Sequence, residues 1–385
     1  MNHLDLSNNR LTAVRNIDCL PSLHAVDLST NELTTLHAST SMPDLRSLRL
    51  SHNRFYSFDS TLFPKLQLLY LDNNDLSALD GLNKCNHLEI LSIREQFAAQ
   101  SFGTPPALDI DIGSLTNIRK MFLSSNRLSE RTLRPSVPAL SLQLLDVASC
   151  GLKEIPGHFG ARFPNLRVLN LNFNALTELG GIAGMNGLGR LTLVGNRVSR
   201  LRMLCQAVSK LGKSNDHGYR ALKTIDIRGN PLTVGFYPSP VSGSGRGESN
   251  AKLLEYTRQH ARQNKKNGEQ DALAAIGGGT DIAVTNYANA VHENASELDV
   301  EIDDPYTVPP ADAEVDQKYR SRLDESTKMK RMVLELMLYA GSGGSIKVLD
   351  GLELRPILEG EKAEVDRIWD KLEDLGVLKR KVETF

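Results

Sequence analysis

Residues 48–74 read Leu-Arg-Leu-Ser-His-Asn-Arg-Phe-Tyr-Ser-Phe-Asp-Ser-Thr-Leu-Phe-Pro-Lys-Leu-Gln-Leu-Leu-Tyr-Leu-Asp-Asn-Asn, and they state one pattern twice. Leu48, Leu50 and Asn53 stand in the order Leu-x-Leu-x-x-Asn, and Leu69, Leu71 and Asn74 repeat it. Working outward, the pattern occurs at Leu4/Leu6/Asn9, Val26/Leu28/Asn31, Leu91/Ile93/Gln96, Met121/Leu123/Asn126 and Leu145/Val147/Cys150. It continues at Leu169/Leu171/Asn174, Leu191/Leu193/Asn196 and Ile225/Ile227/Asn230. The steps between positions 9, 31, 53, 74 and 96 are 22, 22, 21 and 22 residues by subtraction.

A fixed period in this range is the signature of leucine-rich repeats. Each unit supplies a short strand whose alternate apolar side chains point inward, then a turn whose Asn satisfies backbone groups of neighbouring coils. One unit cannot bury its own apolar face, so the units must stack. The expected fold is therefore an α/β leucine-rich-repeat solenoid of about ten repeats. A parallel concave sheet, a short 3-10 or helical convex side and a gentle open curve are expected with it. The stretch 10–24 carries a second apolar set, Leu11, Val14, Ile17 and Leu20, for the return side. Cys150 is an accepted substitute on the Asn ladder; Gln96 is longer and predicts a distorted turn.

Two steps break the period: Gln96 to Asn126 is 30 residues and Asn196 to Asn230 is 34. The first insertion contains Pro and Gly and predicts a loop, whereas Leu201, Leu204, Val208 and Leu211 in the second predict a helix. The sequence opens directly on a strand without a polar cap, from which we expect a preceding segment or a covering partner.

Beyond Asn230, prolines and a Gly/Ser stretch end the repeats, giving a solenoid over 1–240. The segment 241–314 reads as a basic helix (251–266) and a flexible linker. A C-terminal repeat cap follows at 315–354, in which Tyr319, Leu323, Met329, Met332, Val333 and Leu336 form an apolar stripe; the stretch 345–354 resembles the terminal cap strand of leucine-rich-repeat proteins, which implies that Leu349, Asp350 and Gly351 close the core. An amphipathic helix over 355–385 buries Val365, Ile368, Trp369 and Leu372.

The 45 basic and 46 acidic residues nearly cancel, which gives no field for nucleic acid or an anionic membrane. No apolar run reaches the ~20 residues of a membrane span. Cys19, Cys85, Cys150 and Cys205 form no Cys-x-x-Cys pair, and we expect reduced, mostly buried thiols in a cytosolic or nuclear compartment. Gly212-Lys213-Ser214 resembles the tail of a phosphate-binding loop, but Ala207 replaces its first glycine. The glycine runs at 277–281 and 341–345 read as linker and tight turn. The histidines are scattered, so neither a metal set nor a catalytic triad emerges, and we expect no cofactor and no enzyme.

Outward positions of the repeats are the expected functional surface. They give Arg49, Tyr70, Ile90, Arg94, Lys120, Phe122, Asn170, Arg190 and Arg228 as candidate protein-binding residues. Tyr70, Ile90 and Phe122 form an apolar centre with Arg49, Arg94 and Lys120 as a basic rim, the composition of an interaction patch. Arginines here also suit phosphopeptides or acidic segments.

The repeats together with Asp226–Tyr237 and Tyr319–Leu354 resemble the C-terminal region of the fungal septation-initiation and mitotic-exit scaffold of the spindle pole body, a family related to animal centriolin. The resemblance implies a cytoplasmic scaffold on the cytoskeleton at that microtubule-organising centre. It also implies protein partners: a pole anchor, a small-GTPase module and downstream kinases. Repeats of this length are similar as well to those of a phosphatase regulatory subunit, the alternative reading.

Overall fold

The computed structural model describes residues 2–96, 107–211, 222–238, 308, 311–354 and 362–374, with the side chains at 362–364, 372 and 373 excepted. Residues 97–106 of the first insertion, Gly212-Lys213-Ser214, the basic helix, the linker apart from 308 and 311–314, the glycine run at 277–281 and the Leu372 side chain lie outside the described residues. All described residues but Val308 belong to one compact unit, Met1–Pro238 with Pro310–Phe385.

Ten three-residue strands build a parallel sheet: β1 (His3–Asp5), β2 (Ala25–Asp27), β3 (Ser47–Arg49), β5 (Leu68–Tyr70), β7 (Ile90–Ser92), β8 (Lys120–Phe122), β9 (Leu144–Asp146), β10 (Val168–Asn170), β11 (Arg190–Thr192) and β12 (Thr224–Asp226). The register puts every central residue beside its counterpart, running Leu4, Val26, Leu48, Leu69, Leu91, Met121, Leu145, Leu169, Leu191 and Ile225. From Val26 onward this row is buried to 1 % exposure or less. At roughly 25 cal/mol per Å2 of apolar area, such a row supplies the main stabilising term of the fold.

The return side is built as short pieces, as the spacing requires. It holds 3-10 turns at Ile17–Cys19, Leu82–Lys84, Ile112–Ser114, Gly180–Ile182 and Pro231–Thr233 and single helical turns α1 (Glu130–Leu133) and α2 (Phe159–Arg162). A second parallel pair is made by β4 (Ser57–Asp59) and β6 (Ala78–Asp80). Phe55, Phe58 and Phe63 pack there, Phe58 edge-on to Phe55 at 6.3 Å and stacked on Phe63 at 6.0 Å. Leu20 departs from its expected place: it is 39 % exposed, because Leu23 fills the core position.

The Asn ladder explains how so many buried polar groups are tolerated. Asn53 Nδ2 donates to the carbonyls of Leu28 (2.9 Å) and Leu50 (3.0 Å), while its Oδ1 accepts from Leu33 N (3.0 Å). Asn31, Asn74, Asn174, Asn196 and Asn230 repeat that arrangement. Gln96 fills the same role, its Oε1 accepting from Leu76 N (3.2 Å) and its Nε2 donating to Leu71 O (2.9 Å). The extra methylene is absorbed by donating to Arg94 O, two residues back, where each Asn donates three residues back. Cys150 is the weaker rung, its thiol reaching Leu123 O and Ala148 O at 3.4 Å. Burial pushes that thiol up to about 12, so it stays protonated. Cys85 is buried and Cys205 half-buried, but Cys19 is exposed at the end of a 3-10 turn, a correction to the expectation of mostly buried thiols.

At the far end, β13 (Val348–Leu349) adds in parallel to β12 and turns back into β14 (Leu352–Glu353). Asp350 and Gly351 form the two-residue turn with φ of 56° and 82°, as a type I′ hairpin demands. Leu349 takes the next place in the core row, opposite Ile225. Three helices flank this end: α3 (Leu201–Ser209) packs on α5 (Glu325–Gly341), and α5 on α6 (Lys362–Asp374). The short α4 (Ala313–Arg320) precedes α5 and is separated from it by the Asp324 N-cap, which accepts from Thr327 N.

Of the expected stripe, Met332 and Leu336 are buried, but Met329 is 40 % exposed. The helix is instead buried through Arg331, Leu334, Glu335 and Leu338. Arg331 is fully buried, pairs with Asp316 (2.6 Å) and Glu335 (3.0 Å) and lies 4.5 Å over the Tyr237 ring. Glu335 also holds Arg320 at 2.8 Å. Val365, Ile368 and Trp369 of α6 are buried.

Candidate protein-binding face

Residues flanking the central row emerge on the open face of the sheet, because successive side chains in a strand alternate. The register sorts the nine candidates into separate rows. Arg49, Tyr70, Ser92, Phe122, Asp146 and Asn170 follow one another in one row. Ile90 and Lys120 are direct partners in the row before it, which Arg190 joins three strands on. Arg94 and Arg228 lie past the strand ends.

The structure brings two of these pairs into contact. The Arg49 guanidinium carbon stands 5.0 Å from the Tyr70 ring centre, and that of Arg94 4.5 Å from Phe122. Such cation–π contacts contribute about 0.5–1 kcal/mol each at exposed sites. The consequences differ. Tyr70 and Arg49 are half-exposed and remain available to a partner. Phe122 is only 5 % exposed, so it belongs to the support of the face rather than its contact surface, a correction to its expected place in an apolar centre.

Ser92, which sequence reading passed over, lies between Tyr70 and Phe122. Its hydroxyl donates to Asp72 Oδ1 (2.6 Å), which also accepts from Arg94 N (2.7 Å). The centre of the face is thus aromatic, hydroxyl and carboxylate in alternation. The same offset that selects Tyr70 after Leu69 selects Ser92 after Leu91, and applying it uniformly finds the residue. Asn170 is buried, its Oδ1 accepting from Thr192 Oγ1 and Asn172 N at 3.0 Å. Arg228 is tied to Asp226 at 2.6 Å with 15 % of its side chain exposed. These two residues serve the sheet, which is a second correction. Arg190 is exposed, and Lys120 is half-exposed with its ammonium pulled below the usual lysine range by burial.

Among the described residues no group of three or more His, Cys, Asp or Glu is placed to hold a metal ion, and no helix is long and apolar enough to cross a membrane.

Strand register, ladder and capping hairpin together define a leucine-rich-repeat fold, and the leucine rich repeat family model matches residues 1–55 and 141–198. The chain is similar to the septation initiation network scaffold protein cdc11 of Schizosaccharomyces pombe, with 33 % identity over 177 residues. That match covers 46 % of this chain and 15 % of the length of the yeast protein. Among solved structures, human trophoblast glycoprotein is 21 % identical with a TM-score of 0.37, covering 59 % of this chain and 76 % of that one. The functional domain of InlJ from Listeria monocytogenes is 18 % identical with a TM-score of 0.40, covering 59 % and 50 %.

Proposed function

We propose that this chain is the repeat-bearing part of a protein-binding scaffold that seats septation and mitotic-exit components at the spindle pole body. The similarity to the fission-yeast septation scaffold carries this reading. The repeat fold supports it physically, since a continuous face of outward side chains on a stack of repeats suits docking. We assign the solenoid to 1–240, a basic helix and linker to 241–314, the cap to 315–354 and a terminal amphipathic helix to 355–385. Contact with a pole anchor is assigned to the sheet face around Arg49 and Tyr70, with Ile90, Arg94 and Lys120 at its margin. A small-GTPase module and kinases are the components brought to the pole.

Proximity labelling from the tagged chain in dividing fungal cells, read with its fluorescence position, tests this. A polar spot surrounded by spindle-pole and septation proteins is expected. A diffuse signal with a phosphatase catalytic subunit as main neighbour would replace the reading with that of a phosphatase regulatory subunit.

A further inference from the structure

A second surface lies where each return segment enters its strand. Backbone bonds connect Arg119 to Gln143, Gln143 to Arg167, Arg167 to Gly189, Gly189 to Lys223 and Lys223 to Lys347, one residue per coil. The adjoining register row holds Lys120 and Arg190. Six cations therefore share one edge from β8 to β13. The segments 113–120, 137–144, 161–168, 183–190, 222–224 and 343–348 that form this edge contain no Asp or Glu. In a chain of net charge −1 this is a marked local segregation.

Ion pairing within the fold leaves the edge largely unneutralised. Arg119 approaches Glu89 at 3.8 Å with both side chains solvated, which is worth little. Among the described residues, Lys120, Arg167, Arg190, Lys223 and Lys347 have no acidic side chain within ion-pair distance. A shallow cleft opens between Arg119 and Arg167 and is bordered by Leu140, which is 63 % exposed. Val137, nearby in sequence on the same segment, is 51 % exposed.

We infer that this edge is a docking surface for an extended, Asp/Glu-rich protein segment that carries apolar residues between its acids. Charge complementarity selects the partner, and the spacing selects its form. Arg119, Arg167 and Lys223 stand on alternate strands, about 10 Å apart given the ~4.8 Å strand separation. Three residues of an extended chain span about 10 Å, so an acid at every third position meets one cation each. The cations are spread out rather than converged on one point, which fits single carboxylates better than a phosphate dianion held by clustered arginines. The edge rows carry no aromatic platform for bases, which disfavours single-stranded nucleic acid. Leu140 offers the apolar anchor that a peptide can use. Apart from Lys120, which stands at the margin of both, this surface is separate from the Tyr70 face, and it stands whether or not that face docks a pole anchor.

The test is fluorescence anisotropy with the full chain and a fluorescein-labelled peptide of three consecutive Glu-Ser-Leu triplets. Binding that weakens with added salt is expected, together with at least a tenfold loss in the double variant R167E/K223E. A Lys-Ser-Leu peptide of the same length should bind that variant in preference to the unaltered chain. Because both side chains are exposed, the variant should melt at the unaltered temperature. Equal binding by the variant, or by a Gln-Ser-Leu peptide, would overturn the inference. So would displacement of the peptide by a lower concentration of oligothymidylate, or tenfold tighter binding of a phosphoserine peptide lacking glutamate.

Discussion

Ile227 donates its backbone N–H to Asp350 Oδ1 across 2.6 Å, although 123 residues separate the two in sequence. This bond joins the last regular repeat to the closing hairpin, and Asp350 Oδ2 accepts from the Tyr237 hydroxyl as well. Asp350 N–H in turn reaches Ile225 O at 2.9 Å. The carboxylate thereby takes the place of the backbone carbonyl that receives the matching N–H between earlier coils, as Asp226 O does from Leu193 N at 2.7 Å. Asp350→Ala leaves the Ile227 N–H and the Tyr237 hydroxyl without this acceptor, and a loss of about 2–4 kcal/mol in urea denaturation is expected.

Burial, reinforced by the negative charge of Asp226, pushes the Asp350 carboxyl up to about 7. In the unfolded chain it returns to about 3.9. Between these values the folded protein binds the extra proton, so stability from this group is fully present at low pH and is lost as pH rises from about 4 to about 7. Asp350→Asn keeps the Ile227 acceptor and tolerates the positive φ. Thermal melts from pH 5 to 8 should show the unaltered chain losing stability with rising pH and the Asn variant losing less.

Asn53→Ala removes three ladder bonds from a buried site, and a loss of about 3 kcal/mol is expected. The reverse change is available at Cys150, where a thiol makes two long bonds. Cys150→Asn supplies an amide of the type that Asn174 offers to Leu152 N, and a gain of about 1 kcal/mol in the same denaturation is expected.

Arg331→Ala leaves Asp316 and Glu335 as buried carboxylates without their shared cation. Breaking a buried pair in this way costs about 3–5 kcal/mol. Hydrogen exchange should show the loss first in α5, with the amides of β2 and β3 keeping their protection.

The period of the Leu-x-Leu-x-x-Asn pattern was enough to locate the strands, the ladder and the α3 helix, since each rests on local spacing and on stacking of like positions. Asp350-Gly351 was legible as a closing element through the resemblance of its Leu-Asp-Gly triplet to the cap strand of leucine-rich-repeat proteins, and the two successive positive φ values it adopts suit that pair. The status of Phe122 was not. It stands at an outward position, and Arg94, from the next coil back, lies over its ring. Arg331 and Glu335, outside the apolar stripe, are buried together because Asp316 and Arg320 of a separate helix pair with them. The basic edge was invisible in net charge, because that sum cancels its cations against acids elsewhere in the sequence.

Affinity purification of the chain from dividing fungal cells, followed by quantitative mass spectrometry, tests the assignment of the docking face most directly when the unaltered chain is compared with R49A/Y70A at equal abundance. Both side chains are half-exposed, so the double variant should melt within about 2 °C of the unaltered chain. The account predicts that the proteins recovered with the unaltered chain fall at least about tenfold with the variant, a loss of roughly 1.4 kcal/mol of binding. Recovery of the same proteins in the same amounts would contradict it.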